Sequence, residues 1–125
     1  MIVNSGKGIL RSRVEAVTGL FAGNFYMALS GDTAAINVTD TALTAEQTTN
    51  GLARAVVTAA HTTGTNSWVF SNTFTFSGSS TTPISKVALF DAASGGNLIV
   101  EYLAGTPTTF NTAGDNAQYQ ISIGF

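Results

Sequence analysis

The sequence predicts a mainly β protein: a single antiparallel β-sandwich or jelly-roll-like domain over residues 1–125, with a short N-terminal α-helix. Three observations support this fold class. A chain of 125 residues is long enough to bury one hydrophobic core. From about residue 24 onward, apolar and polar residues alternate as they do in half-buried strands. Turn-forming residues separate these stretches at short intervals, and the strand–helix–strand order of a parallel sheet is missing.

The first part of the chain has the period of a helix. Apolar residues occupy one face of a predicted helix over residues 8–20, while charged residues lie mostly on the other face. An isolated helix of this length is marginally stable in water, so we expect it to pack on its own sheet or on a neighbouring subunit. Its candidate partner or assembly contacts are Ile9, Leu10, Arg13, Val17 and Phe21.

The β-sandwich is predicted to occupy residues 24–125. Six strands are expected at 24–30, 52–60, 67–77, 84–91, 98–103 and 118–125, and one or two weaker ones around 37–43 and 106–112. The strand at 84–91 is apolar on both sides and is expected to be central in its sheet. The clearest strand has large aromatic residues at even positions, which indicates one core-facing side: Trp68, Phe70, Phe74 and Phe76.

The composition is low in charge and rich in hydroxyl groups. Charged residues make up 10% of the chain and hydrophobic residues 44%, whereas the chain contains 19 Thr and 11 Ser. An average globular domain carries about 25% charged residues, which keep its surface hydrated and its neighbours apart. We therefore expect much of the surface to be buried against partners; an ordinary Thr-rich monomer is the alternative.

Charge and cysteine content exclude several classes of protein. A net charge of −2 argues against nucleic-acid binding, which needs clustered Lys and Arg. The absence of cysteine excludes disulfides, zinc–thiolate sites and a cysteine nucleophile. No apolar run is long enough for a membrane span, and the start of the chain is a poor match to a signal peptide. The protein is expected to be made and kept in a cytoplasm.

We find no pattern typical of an enzyme, a cofactor site or a metal site. His61 is the one histidine, and a turn or surface position explains it better than a catalytic triad. The acidic residues are isolated from one another. Four of them, Asp32, Asp40, Asp91 and Asp115, lie in turn-like contexts and are expected to accept local backbone N–H groups. A loop calcium site built from Asp32 and Asp40 is the alternative.

Two other groups of residues allow competing interpretations. Arg54 and Lys86 lie within apolar strands, so we predict that they face solvent; pairing across an interface is the alternative. Trp68 and Tyr26 could stack on a pyranose ring and serve as glycan contacts, although aromatic residues that alternate along strands more often belong to a core.

Several segments together resemble a class of small structural proteins from tailed phages. They are the small-residue loop at 31–46, Asn50-Gly51-Leu52-Ala53-Arg54, the strand and Gly-Gly hairpin at 84–98, and the Gly114-Asp115 turn before the last strand. The resemblance implies a virion protein, either a capsid decoration (cement) protein or a tail-associated component, assembled in the host cytoplasm. Its expected partners are itself and the major capsid or tail proteins.

We expect a trimer or another closed homo-oligomer, since closed symmetry suits a protein placed at lattice axes. The alternative function is a fibre-tip or adhesin-type module that recognises a host surface glycan through Trp68 and Tyr26.

Overall fold

The computed structural model describes residues 1–7, 24–61, 64 and 67–124. These residues form a mainly β structure, as predicted. Its strands are β1 Tyr26–Ser30, β2 Ala55–Val56, β3 Thr58–His61, β4 Ser67–Thr75, β5 Thr82–Phe90, β6 Leu98–Phe110 and β7 Asn116–Gly124. They form two antiparallel sheets: a four-stranded sheet with the order β2-β1-β5-β6, and a three-stranded sheet with the order β3-β4-β7.

One cluster of buried apolar side chains takes members from both sheets. The Phe25 and Phe70 rings meet edge to face, with centroids 5.4 Å apart. Phe70, Phe74 and Phe76 are at most 2% exposed, and Trp68 packs against the same cluster. The prediction that the even positions of this strand face the core is therefore confirmed.

The four-stranded sheet is covered on both faces. Alternate residues of β5 point to opposite sides, so Leu89 lies in the cluster between the sheets while Ala88 and Phe90 lie in a second buried cluster. Val3 and Leu43 cover this second cluster from outside. β5 is the central strand that the sequence predicted, because β1 and β6 flank it.

The predicted strand at 52–60 is divided between the two sheets. β2 pairs with β1, and β3 pairs with β4. Between them, the Val57 N–H donates to the Phe25 carbonyl at 3.0 Å. The chain therefore passes from one sheet to the other here, a corner that a run of β-branched residues does not reveal. The preceding turn forms as predicted, with Asn50 and Gly51 at φ of 59° and 78°.

Two predicted strands merge and one is absent. The expected strands at 98–103 and 106–112 form the single strand β6, which bulges between the pairs Ile84↔Thr108 and Lys86↔Leu103. The expected strand at 37–43 is wrong. This segment forms turns instead, because Asp40 accepts a hydrogen bond from the Asn37 N–H and closes a local loop.

The N-terminal residues lie beside β6. Ile2 forms an antiparallel bridge with Val100, and the Glu101 N–H donates to the Met1 carbonyl at 2.9 Å. Residues 4–7 are helical. The predicted helix over 8–20 falls within residues 8–23, outside the described residues. No helix in the described part of the chain is long and apolar enough to cross a membrane.

Candidate interaction surface

The outer face of the three-stranded sheet carries mainly hydroxyl and amide groups and is mostly exposed, with Val69 and Ser71 half-buried. Because residues alternate along a strand, the neighbours of the buried β4 phenylalanines point outward. They lie opposite outward residues of β7: Val69 opposite Ser122, Ser71 opposite Gln120, and Thr73 opposite Gln118. We call this surface the uncharged face and define it by Val69, Ser71, Thr73, Thr75, Gln118, Gln120 and Ser122.

None of the three strands in this sheet contains Asp, Glu, Lys or Arg. Among the described residues, the charged side chains belong instead to the four-stranded sheet, to loops and to the N-terminal segment. The Ser, Thr and Gln side chains of the uncharged face can therefore donate and accept hydrogen bonds without presenting a net charge to a partner. This separation of charge from the uncharged face is not visible in the overall composition.

β7 forms one edge of the three-stranded sheet. It pairs with β4 along all nine of its residues, from Ser67↔Gly124 to Thr75↔Asn116, without a bulge. Within the described ranges, no second strand pairs with its other side. The uncharged face therefore ends at a long, regular strand edge.

The outer side of the four-stranded sheet holds a buried charge cluster. Lys86, 4% exposed, places its Nζ 2.6 Å from Asp32 Oδ2 and 3.4 Å from Glu101 Oε1. Burial acts to lower the pKa of Lys86, but the two carboxylates more than offset this and raise it. The hydrogen bond from Lys86 is the main reason that the pKa of Asp32 lies below its usual range.

Glu101 is the most deeply buried acid of this cluster, at 1% exposed. Burial raises its pKa, and the neighbouring carboxyl of Asp40 raises it further, whereas Lys86 acts in the opposite direction. Its Oε2 has no hydrogen-bond donor among the described residues. The cluster attaches the loop that carries Asp32 and Asp40 to the sheet.

Arg54 attaches two further segments to the same sheet. Its guanidinium group binds both carboxylate oxygens of Glu46, at 2.7 and 3.1 Å. It also donates to the carbonyls of Ala92 and Gly95, and it lies 3.6 Å from the Phe90 ring centroid. Such a bidentate, stacked arrangement is specific to arginine.

The prediction that Arg54 and Lys86 face solvent is therefore wrong. Both side chains are at most 10% exposed and pair within the chain. Their partners lie far away in the sequence or in loops, so the pattern of a single strand could not identify them. The alternative, pairing across an interface, is not needed for either residue.

The four turn aspartates accept local backbone N–H groups, as predicted. The same bonds hold the pKa of Asp115 below its usual range, since Asn111 and Thr112 both donate to its carboxylate. The bonds run from Ala34 to Asp32 (3.2 Å), from Asn37 to Asp40 (2.8 Å), from Asn97 to Asp91 (2.7 Å) and from Asn111 to Asp115 (2.8 Å).

The alternative, a loop calcium site built from Asp32 and Asp40, has no suitable set of ligands in the described part of the chain. There, no group of three His, Cys, Asp or Glu residues is placed to hold a metal ion. Asp32 is engaged by the Lys86 ammonium instead.

A pocket of about 280 Å³ lies at the bulge of β6. Its lining combines Ile84 and Val87 with Tyr102, Thr108 and Tyr119. Burial raises the pKa of Tyr119, and the nearby Thr108 hydroxyl acts to lower it. The Tyr119 hydroxyl is buried and makes no hydrogen bond of standard geometry in the described residues. The pocket adjoins β7, because Tyr119 belongs to that strand.

The structure does not bring the predicted glycan contacts together. Trp68 packs against the cluster between the sheets. Tyr26 alternates with Phe25 and Met27, which belong to that cluster, so it points away from it on the other side of the four-stranded sheet. His61 pairs through its backbone with Trp68 at the end of β3.

The predicted assembly contacts lie outside the described residues. Ile9, Leu10, Arg13, Val17 and Phe21 all fall within residues 8–23. The uncharged face and the β7 edge were missed at the level of sequence. Every strand of this sheet lacks Asp, Glu, Lys and Arg, and this pattern could have indicated the surface. The pattern can be recognised only when the strand order is known.

Comparison with known proteins does not identify the chain. No family model matches it, and no curated protein is significantly similar to it. The resemblance to phage structural proteins stays a prediction, and function is inferred from the chain's own residues.

Proposed function

We propose that the protein is a non-catalytic structural component of a tailed-phage virion, either a capsid decoration protein or a tail-associated protein. The observation that carries the proposal is the uncharged face, which ends at an edge of β7 that no other described strand pairs with. A monomer in solution normally keeps charged groups on every exposed face. An exposed sheet without charge suits contact with other subunits.

The chemistry of the uncharged face fits a protein–protein interface. Interface cores are depleted in Lys, Glu and Asp, because each buried charge must be desolvated. Thr73, Gln118 and Gln120 can instead form hydrogen bonds to a partner at a lower desolvation cost than a charged group. The proposed partners are further copies of this chain and the major capsid or tail proteins, with no cofactor. The proposed location is the virion, after assembly in the host cytoplasm.

We further propose that the two sheets pack as a β-sandwich of jelly-roll-like character. The shared cluster and the edge-to-face contact of Phe25 with Phe70 support this arrangement. The passage of the chain from β2 to β3 also fits a sandwich, since it joins the sheets by a single corner. A stiff platform of this kind would hold the uncharged face flat.

Labelled particles would test the virion assignment directly. Particles purified on a density gradient are incubated with a gold-labelled antibody against the chain and imaged by electron microscopy. Regular labelling of heads or of tails supports the proposal and distinguishes its two forms. Intact particles that carry no label, from cells that express the chain, would contradict it.

The alternative function, a fibre-tip or adhesin-type module for a host glycan, has less geometric support. Trp68 contacts the core cluster, and Tyr26 lies on the other side of the sheet, so the two do not form one sugar-stacking surface. Tryptophan fluorescence would separate the alternatives. Emission at long wavelength that iodide quenches freely, and that a glycan protects, would favour the glycan module.

A further inference from the structure

The edges of the two sheets differ in how they are protected against pairing with another chain. β2 has two residues and β3 has four, which is too short for a stable new pairing. The edge of β6 is occupied over part of its length, where Val3 donates to the Ile99 carbonyl at 3.0 Å, and Pro107 interrupts the part beyond. Proteins usually protect exposed edges by such means.

Among the described residues, β7 has none of these protections. It is nine residues long, it contains no proline and no charge, and its pairing with β4 has no bulge. In an antiparallel pair, alternate residues of an edge strand direct their N–H and C=O groups away from the neighbouring strand. β7 therefore offers a regular row of backbone donors and acceptors.

The side chains of β7 are complementary to their own copy. If two copies run antiparallel about Gln120, Gln118 faces Ser122 of the second copy on the outer side of the sheet. On the inner side, Tyr119 faces Ile121 of the second copy. Polar residues then meet polar residues, apolar residues meet apolar residues, and no pair of like charges arises.

Exposed apolar groups of β6 share a pocket with a residue of β7. Tyr102 and Leu103 are 42% and 38% exposed, and both line the pocket to which Tyr119 also contributes. Pairing at β7 would place a second sheet next to these groups and remove part of their apolar area from water. The backbone, the side chains and the adjoining surface thus favour the same occupant, a second copy of this chain.

We propose that two copies pair antiparallel through β7 across a two-fold axis and form one continuous six-stranded sheet. The inference rests on the self-association in the proposed function and narrows its symmetry to an even number of subunits. It also joins two uncharged faces into one larger surface for docking on a particle.

A charge at the centre of the pair tests this interface. Gln120→Lys places two ammonium groups opposite each other in the dimer, on a side chain that is exposed in the single chain. Light scattering after gel filtration should give twice the 12.9 kDa chain mass for the unmodified protein. For the variant, we expect the dissociation constant to rise by about tenfold or more, with partial recovery at high salt, because salt screens exposed charges.

Thr73→Lys is the matched control. Thr73 is exposed on the same outer face, but it lies on β4, one strand away from the edge. This variant should remain dimeric. If both lysine variants dissociate the dimer equally, or if neither does, the β7 interface is wrong.

A cysteine provides a second measurement that does not depend on weakening the dimer. The chain contains no cysteine, so Gln120→Cys introduces a single thiol. Mild oxidation should yield a covalent dimer, whereas Thr73→Cys should stay uncrosslinked in the same conditions.

The outcomes separate this inference from the virion assignment. A strictly monomeric protein, or one with the mass of three chains, overturns the two-fold pairing. Labelled particles would still support a virion role in either case. An unlabelled particle with a β7-dependent dimer in solution would contradict the virion role and leave the interface in place.

Discussion

The two sheets of this protein use polar residues in different ways. On the outer side of the four-stranded sheet, Lys86 is buried and Arg54 is half-buried, and both bind carboxylates of the same chain. On the outer side of the three-stranded sheet, Thr73, Gln118 and Gln120 are exposed and carry no charge. The charges of Lys86 and Arg54 therefore stabilise the chain's own fold, while the exposed face of the other sheet remains available for contact with other molecules.

The different use of charge in the two sheets explains the low content of charged residues. A chain with 10% charged residues has few charges for a solvated surface, and here several of them hold loops on one sheet. Such loops cover the outer apolar cluster that includes Leu43 and Phe90. The second sheet has no covering loop among the described residues and relies on hydroxyl and amide groups for hydration.

The largest effect should come from the core that the two sheets share. Phe74 is 2% exposed and contacts Tyr119 edge to face, with centroids 6.0 Å apart. Phe74→Ala should lower the free energy of unfolding by about 3–5 kcal/mol, measured by urea denaturation. Thr73→Ala, on the exposed side of the same strand, should change it by less than about 0.5 kcal/mol. A loss below about 1 kcal/mol for Phe74→Ala would show that the inner face has been misassigned.

Breaking the buried charge cluster should destabilise the protein strongly. Lys86→Met removes the ammonium group and leaves Glu101 buried without its counter-charge. The expected loss is of the order of 3 kcal/mol, the lower end for a buried pair, because Asp32 remains partly exposed. Thr73→Lys adds a charge to the exposed side of the other sheet, away from the β7 edge, and serves as the control for stability. Equal losses for the two variants would contradict the contrast between the sheets.

Arg54 should matter through its geometry as well as its charge. Arg54→Lys keeps the positive charge but loses the bidentate bond to Glu46 and the stacking on Phe90. We expect a loss of about 1–2 kcal/mol in the free energy of unfolding. Hydrogen exchange should increase in the 91–97 turn, which Arg54 holds through the Ala92 and Gly95 carbonyls. A fully stable variant would show that charge alone is sufficient.

The smallest effect should be a pH dependence that arises at Glu101. Its folded pKa is raised above the ordinary 4.5, so the folded state binds the proton more tightly than the unfolded state. This contribution to stability is present in acid and is lost as pH rises from about 4.5 through the folded pKa. Lys86, Asp40 and the Met1 amino group are the charged neighbours.

Asp32 and Asp115 contribute to the pH dependence with the opposite sign. Asp32 and Asp115 have folded pKa values below the ordinary 3.8, so their contribution is present above pH 3.8 and is lost as pH falls below it. Glu101→Gln should remove the decline above pH 4.5 and leave the acid limb unchanged. Thermal denaturation at several pH values would measure both limbs. A decline that persists in Glu101→Gln must come from another group.

Features set by neighbouring residues could be predicted from the sequence. The alternation of Phe70 and Phe74 identified the core side of β4, and Asn50-Gly51 marked a turn. Asp40 and Asp115 bond to residues three or four positions away, so their role was also evident.

Features set by distant residues could not be predicted. Lys86 can be buried because its ammonium group binds Asp32. This partner lies 54 residues away in the sequence, so the residues around Lys86 do not indicate it. β2 and β3 belong to different sheets because β2 pairs with β1 and β3 pairs with β4. The residues of β2 and β3 themselves do not indicate this division. The uncharged face likewise depends on the pairing of β4 with β7. The assignment to a phage particle rests on resemblance and on the proposed use of this face.

The position of residues 1–3 beside β6 has a consequence for the order of folding. The backbones of Met1 and Val3 form hydrogen bonds with those of Glu101 and Ile99. The N-terminal segment can therefore take its place beside the four-stranded sheet only after β6 has been synthesised. β1 likewise needs β5, which follows it by more than fifty residues, before its core side is covered. Chains dominated by such distant pairings fold slowly, and their apolar strands stay exposed until the pairing is complete. Newly made copies would therefore be most prone to aggregate before their second half is complete.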